Sequence, residues 1–215
     1  MSLTFSHNFC ESRLNDNNPP ELLNAISSFA ICLIPFMFEF PVNYLVLSIR
    51  GLLIINGFAS FIYHYYLNWL GKQLDEVSMI LIAMLFCKLT LETYYKDRLK
   101  YYYYFNWVNI LYCIIFISIN TIPSYDIYFP FAFGIYVKYV SVFFILTMMK
   151  FNVKYKYWLI PILISLTGAL FWFISELFCN KITKFGHVIW HILFPLGFYK
   201  ILLTLDKINY NEFYD

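Results

Sequence analysis

Charge is what this chain has least of. Only 13% of its 215 residues are Asp, Glu, Lys or Arg, against about 25% in soluble domains. With 61% hydrophobic residues, that scarcity excludes an ordinary soluble globular protein and points to a polytopic membrane protein. A Gly-rich phosphate loop is missing, and so is a GxSxG elbow, which removes nucleotide-phosphate and serine-hydrolase readings. The net charge is only +2, with no basic patch beside a reading helix, so no nucleic-acid partner is expected. Met1 to Pro20 is polar, with Asn8, Glu11, Arg13 and Asp16, and does not have the build of a signal peptide. The last five residues, Asn211 to Asp215, carry no familiar retention signal.

Apolar runs and aromatics fill the space that charge leaves. Aromatics make up 23% of the chain, with 20 Tyr and 24 Phe. A membrane-spanning helix needs roughly 20 mainly apolar residues. Seven stretches qualify: about 21–38, 50–68 (starting as early as 43), 75–94, 104–122, 131–149, 158–178 and 187–205. The connections are short, so the expected fold is all-α, one seven-helix membrane domain over residues 21–205. A segment of residues 1–20 precedes it and a tail of residues 206–215 follows.

Lys and Arg divide between the two sides of such a bundle. Arg50, Lys96, Arg98, Lys100, Lys150, Lys154, Lys156, Lys200 and Lys207 collect on one side; Arg13, Lys72, Lys181 and Lys184 fall on the other. The positive-inside rule makes the first side cytoplasmic, with the N-terminus outside and the C-terminus inside. The Tyr94–Tyr95 and Tyr101–Tyr104 clusters suit an interfacial aromatic belt. Arg50 and Glu92 are expected to reach water at the cytoplasmic edge. Lys138 falls inside an apolar run, where it snorkels, pairs with an acid such as Glu176, or marks a misplaced span.

Within this frame three of the four histidines stand where an ionisable group is costly and therefore a functional candidate. His64 ends one apolar run, and His187 and His191 open another, four apart and so on one helix face. The orientation brings all three, with Asp75, to one depth on the non-cytoplasmic side. Catalytic zinc takes three protein ligands and keeps a fourth position for water, whose pKa falls from about 15.7 to about 7. Asp75 then suits a general base. Ser60, one turn before His64, suits a donor to a developing oxyanion. Glu76 suits a helix-start or supporting role. A pair of histidines four apart also fits haem ligation or plain hydrogen-bonded structure, and those readings stay open on spacing alone. His7 is expected to be solvated. Asn24, Ser27 and Ser28 can hydrogen-bond neighbouring helices. Cys32, Cys87 and Cys113 read as packing residues. Cys10 and Cys179 both fall in outside segments, where an oxidising compartment permits a disulfide between them.

Several segments resemble the alkaline ceramidase family, part of a superfamily that includes the adiponectin and progestin membrane receptors. Gly57-Phe-Ala-Ser60-Phe-Ile-Tyr-His64 resembles its glycine–serine–histidine signature, and Leu74-Asp75-Glu76-Val77-Ser78-Met79 resembles its LDELPM motif. Gly186-His187-Val-Ile-Trp190-His191-Ile-Leu resembles HAWWHIL. Cys10-Glu11 with Glu21-Leu-Leu-Asn24-Ala-Ile-Ser27 resembles the CE…ExxNxxS pattern, and Trp172 to Cys179 resembles the end of the sixth helix.

The resemblance implies zinc on His64, His187 and His191, with Asp75 and Ser60 at the catalytic water. It implies hydrolysis of the ceramide amide to a sphingoid base and a fatty acid. It also implies calcium near the N-terminus. There Glu11 and Glu21 match the family's ligands, while Asn8, Phe9 and Arg13 replace an Asp, a Trp and an Asn; Asn15, Asp16 or Asn17 are the available substitutes. The expected partners are ceramide or a related lipid amide and the bilayer, with no protein partner. The expected location is the endoplasmic reticulum or Golgi membrane of a eukaryote, or the inner membrane of a bacterium. Two alternatives compete: a zinc-containing membrane receptor without hydrolysis, and a hydrolase of another lipid amide or ester.

Overall fold

A computed structural model describes residues 9–14, 19–122 and 128–209. Asn8, Asn15, Asp16, Asn17, His7 and the last five residues lie outside these. The described residues form eight α-helices and no strand. They are α1 (Cys10–Leu14), α2 (Leu22–Leu33), α3 (Tyr44–Tyr66), α4 (Trp69–Tyr94), α5 (Leu99–Asn120), α6 (Phe129–Lys150), α7 (Leu159–Leu177) and α8 (Phe185–Asn209). Among the described residues five helical stretches are long and apolar enough to cross a membrane: Tyr44–Tyr66, Leu99–Asn120, Phe131–Lys150, Tyr155–Leu177 and Phe185–Asn209. This is a multi-pass membrane protein. The other two expected spans are helical but differ in kind. Leu22–Met37 is short, because Pro35 cannot donate to an α-helical ladder and the chain tightens to a 3-10 turn over Ile34–Met37. The long α4 carries Lys72, Asp75, Glu76, Lys88 and Glu92.

The helices pack as two compact units, each described by itself. The first takes in Met1–Phe40, Leu53–Glu76 and Tyr155–Ile201. Here α1 caps α2. The carboxylate of Glu11 accepts the backbone N–H groups of Leu23 (2.8 Å) and Asn24 (2.9 Å), which have no intrahelical acceptor, and its charge suits a helix N-terminus. The α3–α4 corner is two residues long. Leu67 adopts φ 44° and donates to Tyr63 O at 2.7 Å, and Asn68 accepts Gly71 N–H at 2.6 Å as the cap of α4. A Cβ on Gly71 would meet the Tyr63 backbone at 2.8 Å, so only glycine lets α4 turn back this tightly beside His64. At the start of α8, a Cβ on Gly186 would meet Phe171 O and lie 2.8 Å from Ser175 Cβ. This backbone contact fixes the start of α8 against the last turns of α7. Cys10 and Cys179 are joined by a disulfide, with their Cα atoms 5.3 Å apart.

The second unit takes in Pro41–Leu52, Val77–Lys154 and Leu202–Asp215. Asp206 accepts the N–H groups of Val42 (3.0 Å) and Asn43 (2.8 Å), capping the start of α3. Between α5 and α6 a buried polar group forms: the Tyr136 hydroxyl donates to Asn109 Oδ1, Cys113 Sγ lies 3.4 Å from that hydroxyl, and Asn109 Nδ2 donates to Met84 O. Glu92 accepts the Tyr102 hydroxyl at 3.0 Å. Arg50, expected in water, is only 7% exposed. Lys138 is on the exposed side of α6, where an apolar stem can carry its charge toward an interface.

Replacing Gly186 by Ala is expected to force α7 and α8 apart at Phe171 and destabilise the protein by about 1–3 kcal/mol, the usual cost of overpacking. Thermal unfolding in detergent measures this, and an unchanged midpoint contradicts the close contact.

Candidate metal centre

Three helices deliver the site. His64 comes from the last turn of α3, Asp75 from the second turn of α4, and His187 and His191 from the first two turns of α8. The three histidines are buried, and one ring nitrogen from each lies within 4.8 Å of the others. Among the described residues they are the group of His, Cys, Asp and Glu that could hold a metal ion. The rings pack edge-on or tilted, with centroids 4.8 Å apart for His64–His187, 4.7 Å for His187–His191 and 5.3 Å for His64–His191.

The outer nitrogens decide what the inner ones can do. His64 Nδ1 lies 2.5 Å from Glu21 Oε2, both side chains being essentially inaccessible. His191 Nδ1 lies 2.8 Å from Ser27 Oγ. His187 Nδ1 faces Glu176 Oε1 at 3.9 Å, close for an electrostatic pair but too long for a hydrogen bond. With Nδ1 turned outward in each ring, the Nε2 atoms are left to face one another. Metal-bound histidines show this pattern, their second nitrogen held by a carboxylate or another polar group. The donor set therefore fits a borderline-soft cation such as zinc.

Asp75 is half-buried beside this cluster, close enough to interact electrostatically with His64. Asn56 holds it, with Nδ2 donating to Asp75 Oδ1 (2.9 Å) and to the Asp75 carbonyl (3.1 Å). Ser60 faces the same carboxylate and receives a hydrogen bond from Ser28 at 3.1 Å. Glu76 points elsewhere and pairs with the buried Lys72 at 3.0 Å. The site is roofed by Phe9, whose ring packs edge-on to His187 at 4.6 Å and tilted to His64 at 5.1 Å.

Glu11 and Glu21, the carboxylates that the resemblance assigns to calcium, are both buried, and both face protein donors. Glu11 caps α2. Glu21 accepts Phe9 N–H (3.0 Å) and the Ser12 hydroxyl (2.6 Å) on Oε1 and faces His64 on Oε2. Arg13 turns away to Glu176, 2.7 Å from Oε2, so the acid suggested for Lys138 has Arg13 as its cationic partner.

Four participants were not read from the sequence: Asn56, the Phe9 ring, the Glu21 contact to His64 and the Glu176 contact to His187. A signal existed for the acids, since a carboxylate beside an apolar run needs a partner. Nothing in one sequence says that residue 21 meets residue 64.

Glu21→Ala is expected to leave a buried His64 nitrogen without its partner. That costs about 1–3 kcal/mol of stability and roughly 10–100-fold in metal affinity. Thermal unfolding and a chelator-competition titration measure the two, and wild-type metal affinity in this variant contradicts the assignment.

No match was found among curated proteins. The family comparison is decisive: the Ceramidase family matches residues 2–213, nearly the whole chain, and this protein belongs to it.

Proposed function

We propose that the protein is a zinc-dependent amidohydrolase that cleaves the amide bond of ceramide within the membrane, releasing a sphingoid base and a fatty acid. Membership of the Ceramidase family supports a ceramide-hydrolysing membrane enzyme. The observation that carries the finer reading is the buried His64–His187–His191 cluster, with its Nδ1 atoms turned toward outer partners.

In this reading the three Nε2 atoms hold the metal. Bound zinc supplies a Lewis acid for the amide carbonyl and acidifies water. The remaining work belongs to the chain. Asp75 takes a proton from the attacking water and returns it to the leaving amine. Asn56 keeps the Asp75 carboxylate oriented for that transfer. The Ser60 hydroxyl, anchored through Ser28, donates to the oxygen on which negative charge develops. Phe9 and the buried surroundings exclude bulk water, which strengthens each of these interactions.

Seven crossings, with the N-terminus outside, belong to the same proposal. The site-bearing ends of α3, α4, α7 and α8 then share the non-cytoplasmic side, in the lumen of the endoplasmic reticulum or Golgi, or in the periplasm. The lipid enters sideways from the bilayer, its amide at the metal and its chains between helices.

Fatty-acid release from a ceramide panel is expected to vanish with a zinc chelator and return with zinc. Asp75→Ala is expected to keep its zinc and lose roughly 10²–10⁴-fold in rate, whereas His187→Ala loses both. Absence of release by folded, zinc-loaded protein contradicts the hydrolase and favours a receptor or a different lipid substrate.

Calcium has less support among the described residues. Calcium takes about six to eight oxygen ligands, and among the described residues the family's carboxylates here are Glu11 and Glu21, which also serve N–H and O–H donors. Millimolar calcium is therefore expected to change neither thermal stability nor hydrolysis relative to a calcium-chelated sample. A clear rise in either contradicts this.

A further inference from the structure

Among the three histidine rings, His187 is the exception. Among the described residues its buried Nδ1 has no hydrogen-bond partner, whereas His64 and His191 each have one at 2.5 and 2.8 Å. Buried polar nitrogens are seldom left unpaired, and an orphan calls for an explanation. The nearby carboxylate is Glu176, whose Oε1 lies 3.9 Å away.

Glu176 is not loosely placed. Its Oε2 and its backbone carbonyl both accept the Arg13 guanidinium, at 2.7 and 3.0 Å. Its Oε1 accepts the Cys10 N–H at 3.3 Å. Cys10 is in turn bonded to Cys179, three residues after Glu176. One N-terminal segment, tied back by the disulfide, thus holds one carboxylate just short of one histidine.

We propose that Glu176 is the positioning residue of His187, with Arg13 and the Cys10 amide holding its carboxylate ready to accept the Nδ1 proton when Nε2 takes a metal. This rests on the zinc reading above. A metal on Nε2 leaves the ring's one proton on Nδ1, where it needs an acceptor. Closing from 3.9 Å to an ordinary hydrogen bond of about 2.8 Å takes a shift of about 1 Å. A χ adjustment of Glu176 supplies this without moving either helix. Arg13 balances the carboxylate's charge and limits its travel. The N-terminal segment that carries Phe9, Cys10 and Arg13 is therefore part of the metal centre as well as a cover over it.

The competing explanation is that Glu176 and Arg13 form a tether for α1 and nothing more. A tether changes stability and leaves metal affinity alone. The test uses full-length protein in detergent, stripped of metal and titrated with zinc against a competing chelator, with thermal unfolding recorded in parallel. Glu176→Ala is expected to weaken zinc binding by roughly 10–100-fold. Glu176→Gln keeps one acceptor oxygen and is expected to fall between wild type and Ala. Arg13→Met is expected to lower thermal stability and to weaken zinc binding less than Glu176→Ala does. In cobalt-substituted protein the visible absorption is expected to change in Glu176→Ala and far less in Arg13→Met.

Wild-type zinc affinity in Glu176→Ala, with stability lost to the same extent as in Arg13→Met, overturns the proposal in favour of a tether. If Glu176→Ala does not fold, Glu176→Gln decides: weakened zinc binding supports the proposal, and unchanged affinity overturns it. Failure of the wild type itself to bind zinc is a separate result; it removes the metal reading and this inference with it.

Discussion

A buried imidazole has two nitrogens, and each needs something to face. Placing three such rings together in an apolar bundle is tolerable only if both sets of nitrogens are accounted for. The outer set meets Glu21, Ser27 and, at longer range, Glu176. One nitrogen of each ring lies within 4.8 Å of the others, an arrangement that a shared cation satisfies. The positions of α1, α2 and the end of α7 follow from this requirement as much as from apolar packing.

The short N-terminal helix is bound up with that constraint. Its five residues provide the Cys10 half of the disulfide, the Glu11 cap of α2 and the Arg13 partner of Glu176. The neighbouring Phe9 covers the rings and donates its N–H to Glu21. A segment that polarity marks as a surface extension is thus built into the histidine site. In an oxidising compartment the disulfide removes much of the entropy by which this segment would otherwise come away.

The helices themselves were legible because apolar runs of membrane length are hard to mistake. The three histidines and Asp75 were legible for the converse reason, as ionisable groups where such groups are costly. What escaped was pairing across distance. Glu21 was assigned to calcium through the family resemblance, and its contact to His64, 43 residues away, gave no separate signal. Glu176 was offered as one of several options for Lys138, but Arg13, 163 residues distant, is the cation beside it. Arg50 was expected in water because it lies near the cytoplasmic edge, yet packing buries it. Asn56 gave no signal, since an amide inside a helix has many uses, and only the tight α3–α4 corner shows that it faces Asp75.

The central claim is that the histidine cluster is a metal centre and not a hydrogen-bonded structural core. X-ray absorption at the zinc edge, on purified protein with its metal content quantified, tests it most directly. The account predicts stoichiometric zinc coordinated by nitrogen and oxygen alone, with multiple scattering from three imidazoles that is lost in His191→Ala. Metal-free protein that neither binds zinc nor gains stability from it, or zinc coordinated by sulfur, would contradict it.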